Sequence, residues 1–329
     1  MGIFLGFYFQ QDLIQVSKNK TKMIIATHRK IFFALSGILS VIAVFLLVAH
    51  TPSLGIDFSG GTLLEVTAPS GISLDVVKEA TKGTLAEDAS VRLSGAKGAV
   101  IRSKALSETD KEKILSNLQS KLSAEITLVR ATTIGPSIGS SLTRKAIYGV
   151  LFAIIAIVLF IAFAFRKVSQ GTSKDGAKVS SWKYGMAAIV ALVHDVLISV
   201  GFYTVLSITR GAEIDVLFVS AVLAVLGYSV HDTIVVFDRI RERLRTNEEK
   251  HNREDFVETV GRSIRETMGR SINTSLTIFL TLLALVIWGP AITANFALVL
   301  LFGVVIGTYS SVCLASPLLI VFSGSSNKK

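Results

Sequence analysis

The chain alternates between long apolar runs and polar segments, and this pattern predicts six membrane-spanning helices. A spanning helix needs about 20 apolar residues, because lipid offers no hydrogen-bond partner to the backbone. The predicted spans are 31–50, 144–166, 184–209, 214–240, 268–288 and 292–322. The polar segments are 1–30, 51–143, 167–183, 241–267 and 323–329, and the densely charged segment 241–267 is predicted as a loop or a solvated amphipathic helix. The pattern therefore indicates a multi-pass α-helical membrane protein.

The one long polar segment, 51–143, has the pattern of a small α+β domain. Two amphipathic segments, 73–85 and 107–122, are predicted as helices that begin after the N-cap residues Ser73 and Ser107. Four segments are predicted as strands from alternation or from their place around a turn: 61–68, 89–93, 98–102 and 125–130. The order strand, helix, strand, strand, helix, strand is that of the ferredoxin-like unit. The predicted fold class is therefore six transmembrane helices with one extracytoplasmic ferredoxin-like domain.

The composition supports the membrane assignment and narrows the chemistry. Half of the 329 residues are hydrophobic, 18% are charged and the mean hydropathy is +0.59, whereas soluble proteins carry about 25% charged residues. The single cysteine excludes a disulfide framework and a multi-cysteine metal site. The long polar segment has no cysteine and no histidine, and the nearest histidine, His50, lies at the membrane edge just before it. We expect a binding or packing module there, and no metal or cofactor.

The charge distribution predicts the orientation. The segments 1–30, 166–183, 239–270 and the C-terminal tail hold 21 of the 34 Lys and Arg residues. Cytoplasmic loops carry the excess of Lys and Arg in membrane proteins. Both termini are therefore predicted to be cytoplasmic, in a protein of the bacterial cytoplasmic (inner) membrane. The net charge of +10 follows from this asymmetry, so no nucleic-acid partner is predicted.

Two ionisable residues inside the predicted spans are expected to meet. Asp232 lies 17 residues after Asp215, which is roughly 26 Å of helix. Arg270 lies 18 residues before Trp288, or roughly 27 Å. Because the two helices are sequential and antiparallel, both side chains are predicted at one level in the cytoplasmic half. A charge at this depth costs about 2.5–3.5 kcal/mol on insertion scales, which indicates a partner or a function.

Further polar residues predict a seam around this pair. Arg270 and Thr274, followed by Thr277 and Thr281, recur at helical spacing and share one face. Burial favours the neutral acid and a nearby guanidinium favours the anion, so movement of Arg270 would change the proton affinity of Asp232. The pair is therefore a candidate proton gate. A fixed structural ion pair is the alternative.

A second acid, Asp195, is predicted near the midplane, 11 residues or roughly 16 Å beyond Tyr184. His194 precedes Asp195 and His231 precedes Asp232. Adjacent helical residues diverge by about 100°, so each histidine points away from its neighbouring aspartate. The sequence therefore favours neither a packing role nor a proton-relay role for these histidines. An intramembrane aspartyl protease would need the two carboxylates to share a proton. The depth counts separate Asp195 from Asp232 and disfavour that reading.

Four stretches give the chain a resemblance to a known family: GIDFSGGT (55–62), TTIGPSIGSSLTRKAI (132–147), GYSVHDTIVVFDRIRE (227–242) and ETMGRSINTSLT (266–277). They resemble the SecF family of bacterial protein-export membrane subunits. The resemblance implies half of a resistance-nodulation-division-type transporter, which pairs with SecD and assists the SecYEG channel in moving preproteins at the expense of the proton gradient. It also implies that Asp232 and Arg270 transfer protons. The sequence differs at His231, where the family commonly carries Asn.

Two other functions fit the same architecture. One is half of a proton-coupled exporter of lipids, drugs or metabolites, which would need a substrate pocket and would show gradient-driven flux. The other is a scaffold without proton chemistry, in which the carboxyl of Asp232 could be neutralised without functional loss.

Overall fold

The structure, a computed structural model, describes residues 24–94, 97–122, 125–165, 180–250 and 254–324. Its helices are α1 (Ile24–Thr27), α2 (Arg29–Ala49), α3 (Ile56–Ser59), α4 (Leu74–Thr81), α5 (Glu108–Leu122), α6 (Pro136–Ala164), α7 (Ser181–Arg210), α8 (Val216–Glu249), α9 (Phe256–Trp288), α10 (Ala291–Ser310) and α11 (Ser316–Ser323). A π-helical segment, Ser311–Ala315, joins α10 to α11. In this described part, six helices are long and apolar enough to cross a membrane: α2, α6, α7, α8, α9 and the continuous helix from Ile292 to Ser323. The predicted six-helix membrane fold is confirmed.

Three of these helices continue beyond the apolar runs. Helix α6 begins at Pro136, α8 continues to Glu249 and α9 begins at Phe256. The polar extensions of α8 and α9 are joined by ion pairs, including Arg239 to Glu266 at 2.6 Å. Most of the charged segment 241–267 therefore belongs to these two helices. Parts of two predicted segments lie outside the described residues: residues 1–23 of the N-terminal segment 1–30, and most of the loop 167–183.

The chain divides into two compact units. The first, here the helical unit, comprises the described residues of 1–49, 153–203 and 221–329. Aromatic rings hold three of its helices together: Phe165 stacks on Tyr184 at 5.3 Å, and Phe237 meets both rings edge-on. A hydroxyl contact of 3.2 Å between Ser36 and Tyr309 ties α2 to α10. Such polar contacts stabilise helix association where lipid supplies no hydrophobic driving force.

The second unit, here the α+β unit, comprises 50–152 and 204–220. Its strands are β1 (Gly61–Thr67), β2 (Ser90–Ser94), β3 (Gly98–Ser103) and β4 (Thr127–Ile134), paired antiparallel in the order β2-β3-β1-β4. Helices α4 and α5 cover a core that includes Leu64, Ile101 and Leu118. Ser73 accepts a hydrogen bond from the Val76 amide as a helix cap does. This sheet order is consistent with the ferredoxin-like prediction.

The two glycines of GIDFSGGT allow a close backbone approach in the α+β unit. Gly60 and Gly61 have φ of +72° and +124°. A Cβ on Gly61 would lie 2.4 Å from the carbonyl oxygen of Ser103. Only glycine adopts this conformation without strain, so the motif fixes the start of β1 against the end of β3.

Charged side chains attach the segment 211–215 to the sheet of the same unit. Arg102 forms an ion pair with Glu213, and Arg92 lies 3.6 Å from the same carboxylate. Burial, with repulsion from Arg92, lowers the pKa of Arg102 to about 10. Two carboxylates then meet the first turn of α8: Asp57 accepts from the Val216 amide at 3.1 Å, and Asp215 accepts from the Phe218 amide at 2.7 Å.

The Asp215→Asn variant should be more stable than the natural chain at neutral pH. Burial raises the pKa of Asp215, and the charge of Asp57 adds to this. The folded chain thus binds this proton more tightly than the unfolded chain, and ionisation of Asp215 opposes folding. Asparagine removes the charge and keeps the capping oxygen, so the variant should unfold at a higher temperature than the natural chain.

This gain should shrink as the pH falls toward 3.8, the usual pKa of an aspartate. Thermal unfolding of the purified chain in detergent at pH 8 and pH 4.5 measures it. The same substitution at the exposed Asp88 is the control and should give no such pH-dependent difference. A lower melting temperature of Asp215→Asn at pH 8 would contradict the prediction.

Candidate functional site

Asp232 is buried inside the helical unit and is held by hydroxyl groups. Its side chain is 5% exposed. Ser271 of α9 donates to Oδ1 at 2.5 Å, and Ser311 of the π-helical segment donates to Oδ2 at 2.5 Å. A hydroxyl both donates and accepts, so the same two serines can bind this group as a carboxylate or as a protonated acid. The surroundings of Asp232 therefore suit a group that gains and loses a proton.

Arg270 lies next to Ser271 in sequence but on a different face of α9. It is exposed, and no ion pair joins it to Asp232 in the described part of the chain. Thr277 and Thr281 are also exposed, Thr274 is half-buried, and the hydroxyls of Thr277 and Thr281 bond to carbonyls of their own helix. The polar face predicted around Arg270 is therefore the outer face of α9 in this chain. Helical spacing shows that residues share a face but not which way that face points.

The hydroxyl seam lies on a more buried face of α9. Ser275 contacts the hydroxyls of Tyr228 and Thr308, with Thr308 at 2.6 Å, and Tyr228 lies 3.1 Å from Thr308. Tyr228 and Ser229 lie four and three residues before Asp232 on α8. The structure places both residues among polar partners, and it supplies Ser271 and Ser275 where the sequence suggested the threonines.

Asp195 forms a second buried acid site. It is fully buried and lies within hydrogen-bond distance of three side chains. Ser229 and Ser310 each donate to Oδ2 at 2.5 Å, and Nδ1 of His194 lies 2.8 Å from Oδ1. His194 therefore turns toward its neighbouring acid, whereas His231 is exposed and makes no hydrogen bond to Asp232 among the described contacts.

The two acids lie at nearly one level, because they contact the consecutive residues Ser310 and Ser311. The depth counts separated them because one began at the cytoplasmic end and the other at the opposite end. Counted from the loop between α7 and α8, Asp195 is 15 residues from Arg210 and Asp232 is 16 residues from Val216. The carboxylates bond to different serines and share no hydrogen bond in the structure as described. This arrangement gives no support to a protease dyad.

Three of the serines that hold these acids were not found from the sequence: Ser271, Ser310 and Ser311. Ser310 and Ser311 end the polar stretch 308–311, which interrupts the apolar sequence of the last span, and that interruption was the available signal. The π-helical segment begins at Ser311, and Ser316 donates to the carbonyl of Ser311 at 2.7 Å. π-helical turns within α-helices are frequent at functional sites. Within the described ranges, no group of three metal-ligating side chains is arranged to bind a metal ion.

Comparison with known proteins matches most of the chain. Residues 113–173 and 177–325 match the family described as "Protein export membrane protein SecD/SecF, C-terminal", and residues 45–68 match the SecD/SecF GG motif. The protein translocase subunit SecF of Thermobaculum terrenum is 38% identical over 89% of this chain and 91% of its own length.

Two longer relatives are named SecDF, and this chain spans 38% of the length of each. The protein translocase subunit SecDF of Bacillus subtilis is 32% identical over 92% of this chain and 38% of its own length. The crystal structure of SecDF from Thermus thermophilus, described as a translocon-associated membrane protein, matches with a TM-score of 0.77 and 28% identity. That match covers 92% of this chain and 38% of the Thermus chain. The chain therefore belongs to the SecF family of protein translocase subunits.

Proposed function

We propose that the chain works with SecD as a proton-driven subunit that assists preproteins through the SecYEG channel across a bacterial cytoplasmic membrane. Relatives named protein translocase subunits support the export role, and the fused SecDF of Bacillus subtilis supports SecD as the partner. The observation that carries the proposal is Asp232, an acid buried among spanning helices and held by hydroxyls. An ionisable group at this position is costly and marks an ion pathway.

The proton chemistry in this proposal belongs to Asp232 and Arg270. A cation near the carboxylate favours its ionised form, and withdrawal of that cation favours proton uptake. Arg270 and Ser271 are neighbours on α9, and Ser271 donates a hydrogen bond to Asp232. A small movement of α9 therefore changes both the position of the Arg270 charge and the hydrogen bond at Asp232. One charge that crosses the membrane potential gains about 2.3 kcal/mol per 100 mV. Roles for His231 and Thr274 stay predictions.

The exposed face of α9 is proposed as the contact surface for SecD. It carries Arg270, Asn273 and Thr277, which are exposed in this chain. Arginine is costly when it faces lipid, so a protein partner suits this face better than acyl chains do. The charge asymmetry of the loops supports cytoplasmic termini and an extracytoplasmic α+β unit.

Preprotein export into membrane vesicles tests the proposal. Vesicles that contain SecYEG and SecD, with or without this chain, are supplied with a preprotein and an imposed proton gradient. We expect the gradient to accelerate export only when the chain is present, and an uncoupler to remove that increase. The same vesicles loaded with a fluorescent amphiphile test the exporter alternative. Gradient-driven amphiphile efflux together with unchanged export would contradict the proposal.

A further inference from the structure

The site around Asp195 is complete within the helical unit and is separate from the site at Asp232. Asp195 is 0% exposed and His194 is 6% exposed. Hydroxyls from α8 and α10 and the ring of His194 from α7 surround the carboxyl group. The proposed role of Asp232 does not require this second site.

The hydrogen bonds admit two charge states of Asp195, because the hydroxyls of Ser229 and Ser310 can bind an ionised or a protonated carboxyl group. In the ionised form, which only accepts, the 2.8 Å contact requires that Nδ1 of His194 carries its proton. This tautomer leaves a lone pair on Nε2, and Nε2 is buried without a hydrogen-bond partner among the described residues. A neutral histidine beside an ionised aspartate gives the buried pair a net charge of −1.

No nearby cation compensates this charge. In the part of the chain that the structure describes, the only ion pair of Asp195 is with His194 itself. The facing titratable groups are Tyr309 of α10, whose ring centroid lies 6.5 Å from that of His194, and Asp232 of α8, reached through Ser310 and Ser311. A proton on Nε2 would convert the net charge from −1 to zero. A low-dielectric interior favours the neutral pair.

We propose that His194 and Asp195 form a second proton-binding site, in which Nε2 of His194 takes the proton and Asp195 is its fixed counter-charge. The nitrogen lone pair forms the new N–H bond with a proton from hydronium, which leaves water, and release reverses this step. The inference rests on the proposed function only in its assignment of this proton to the export cycle.

The consecutive serines connect the new site to the first one. Ser310 binds Asp195 and Ser311 binds Asp232, so a change in charge at either acid reorients a hydroxyl on the same helix. The two sites are thus coupled through neighbouring residues of the last span.

Nitrogen NMR of histidine in the full-length chain tests proton binding directly. The chain is labelled with ¹⁵N-histidine and placed in lipid nanodiscs, and the signals of its five histidines are followed from pH 5 to pH 9. His194→Gln assigns the His194 signal. We expect Nε2 to gain a proton within this range. A His194 signal that stays constant throughout would overturn the proposal, and this measurement needs no substituted acid.

Two variants then test the role of the counter-charge. Asp195→Asn should move the titration midpoint of His194 to lower pH by about one unit or more, since an opposite charge at this distance shifts proton affinity by about that much. Ser310→Ala is a milder change that removes one donor from Asp195, and it should move the midpoint to higher pH. An unchanged midpoint in both variants would overturn the proposal.

An export measurement separates this inference from the proposed function. His194→Gln should lower the gradient-driven part of export, and unchanged export would overturn the assignment of this proton to the cycle. Asp232→Asn should remove gradient-driven export while His194 still titrates. If Asp232→Asn left export intact, the proposed function would fail, and the titration of His194 would still decide the second site.

Discussion

Asp232→Asn is expected to abolish the acceleration of preprotein export by the proton gradient, with a loss of about tenfold or more in that component. Asparagine has nearly the shape of aspartate, and its oxygen and nitrogen can bond to the hydroxyls of Ser271 and Ser311, which rotate to donate or accept. The fold should therefore persist. Asparagine takes up no proton, so the variant has no group at this position that can bind and release the protons driven by the gradient.

The measurement is export into vesicles with SecYEG and SecD, in the presence and absence of an imposed gradient. Asp238→Asn is the matched control, because it makes the same chemical change at an exposed position of the same helix. We expect the control to export as the natural chain does. Full gradient-driven export by Asp232→Asn, with equal amounts of protein in the membrane, would refute the proton role of Asp232.

Gly303→Leu should destabilise the helical unit and remove gradient-driven export. Gly303 and Gly307 lie one turn apart on α10, and the face that carries these two small residues packs against α8. A Cβ at Gly303 would lie 2.3 Å from a methyl group of Val225, which is buried. Close approach of this kind is how small residues let spanning helices pack. A larger side chain would move α10 from α8 and withdraw Ser310 and Ser311 from the two acids.

The expected cost is about 1–3 kcal/mol, the usual range for an overpacked core. Thermal unfolding of the purified chain in detergent measures it. Gly227→Leu is the control, because Gly227 is exposed on α8 and a Cβ there meets no atom within 4 Å. Equal melting temperatures for the two variants would show that the close contact at Gly303 does not hold these helices together.

The membrane architecture could be predicted because it depends on local properties of the sequence. Apolar length defines a span, and alternation with turn residues defines the strands of the α+β unit. The start of α6 at Pro136 was not found, and the sequence does not decide between a loop and an amphipathic helix for the segment 241–267, because hydropathy does not separate polar helical extensions from loops. Helix packing and ion pairs decide those ends.

The acids of the site could be found by their cost inside a span, but their partners could not. Asp232 and Asp195 stand out because a carboxylate in lipid requires compensation. Serine is small and uncharged, so Ser271, Ser310 and Ser311 give no comparable signal. The direction of Arg270 depends on how α9 rotates against its neighbours, which spacing alone does not determine.

The positions of Ser310 and Ser311 constrain how the last span can move. Both hydroxyls are carried by one continuous helix, and each meets an acid on a different neighbour. A twist of that helix about its own axis must therefore carry the two hydroxyls together. The two acids would then lose or regain the hydrogen bonds from Ser310 and Ser311 in a single step.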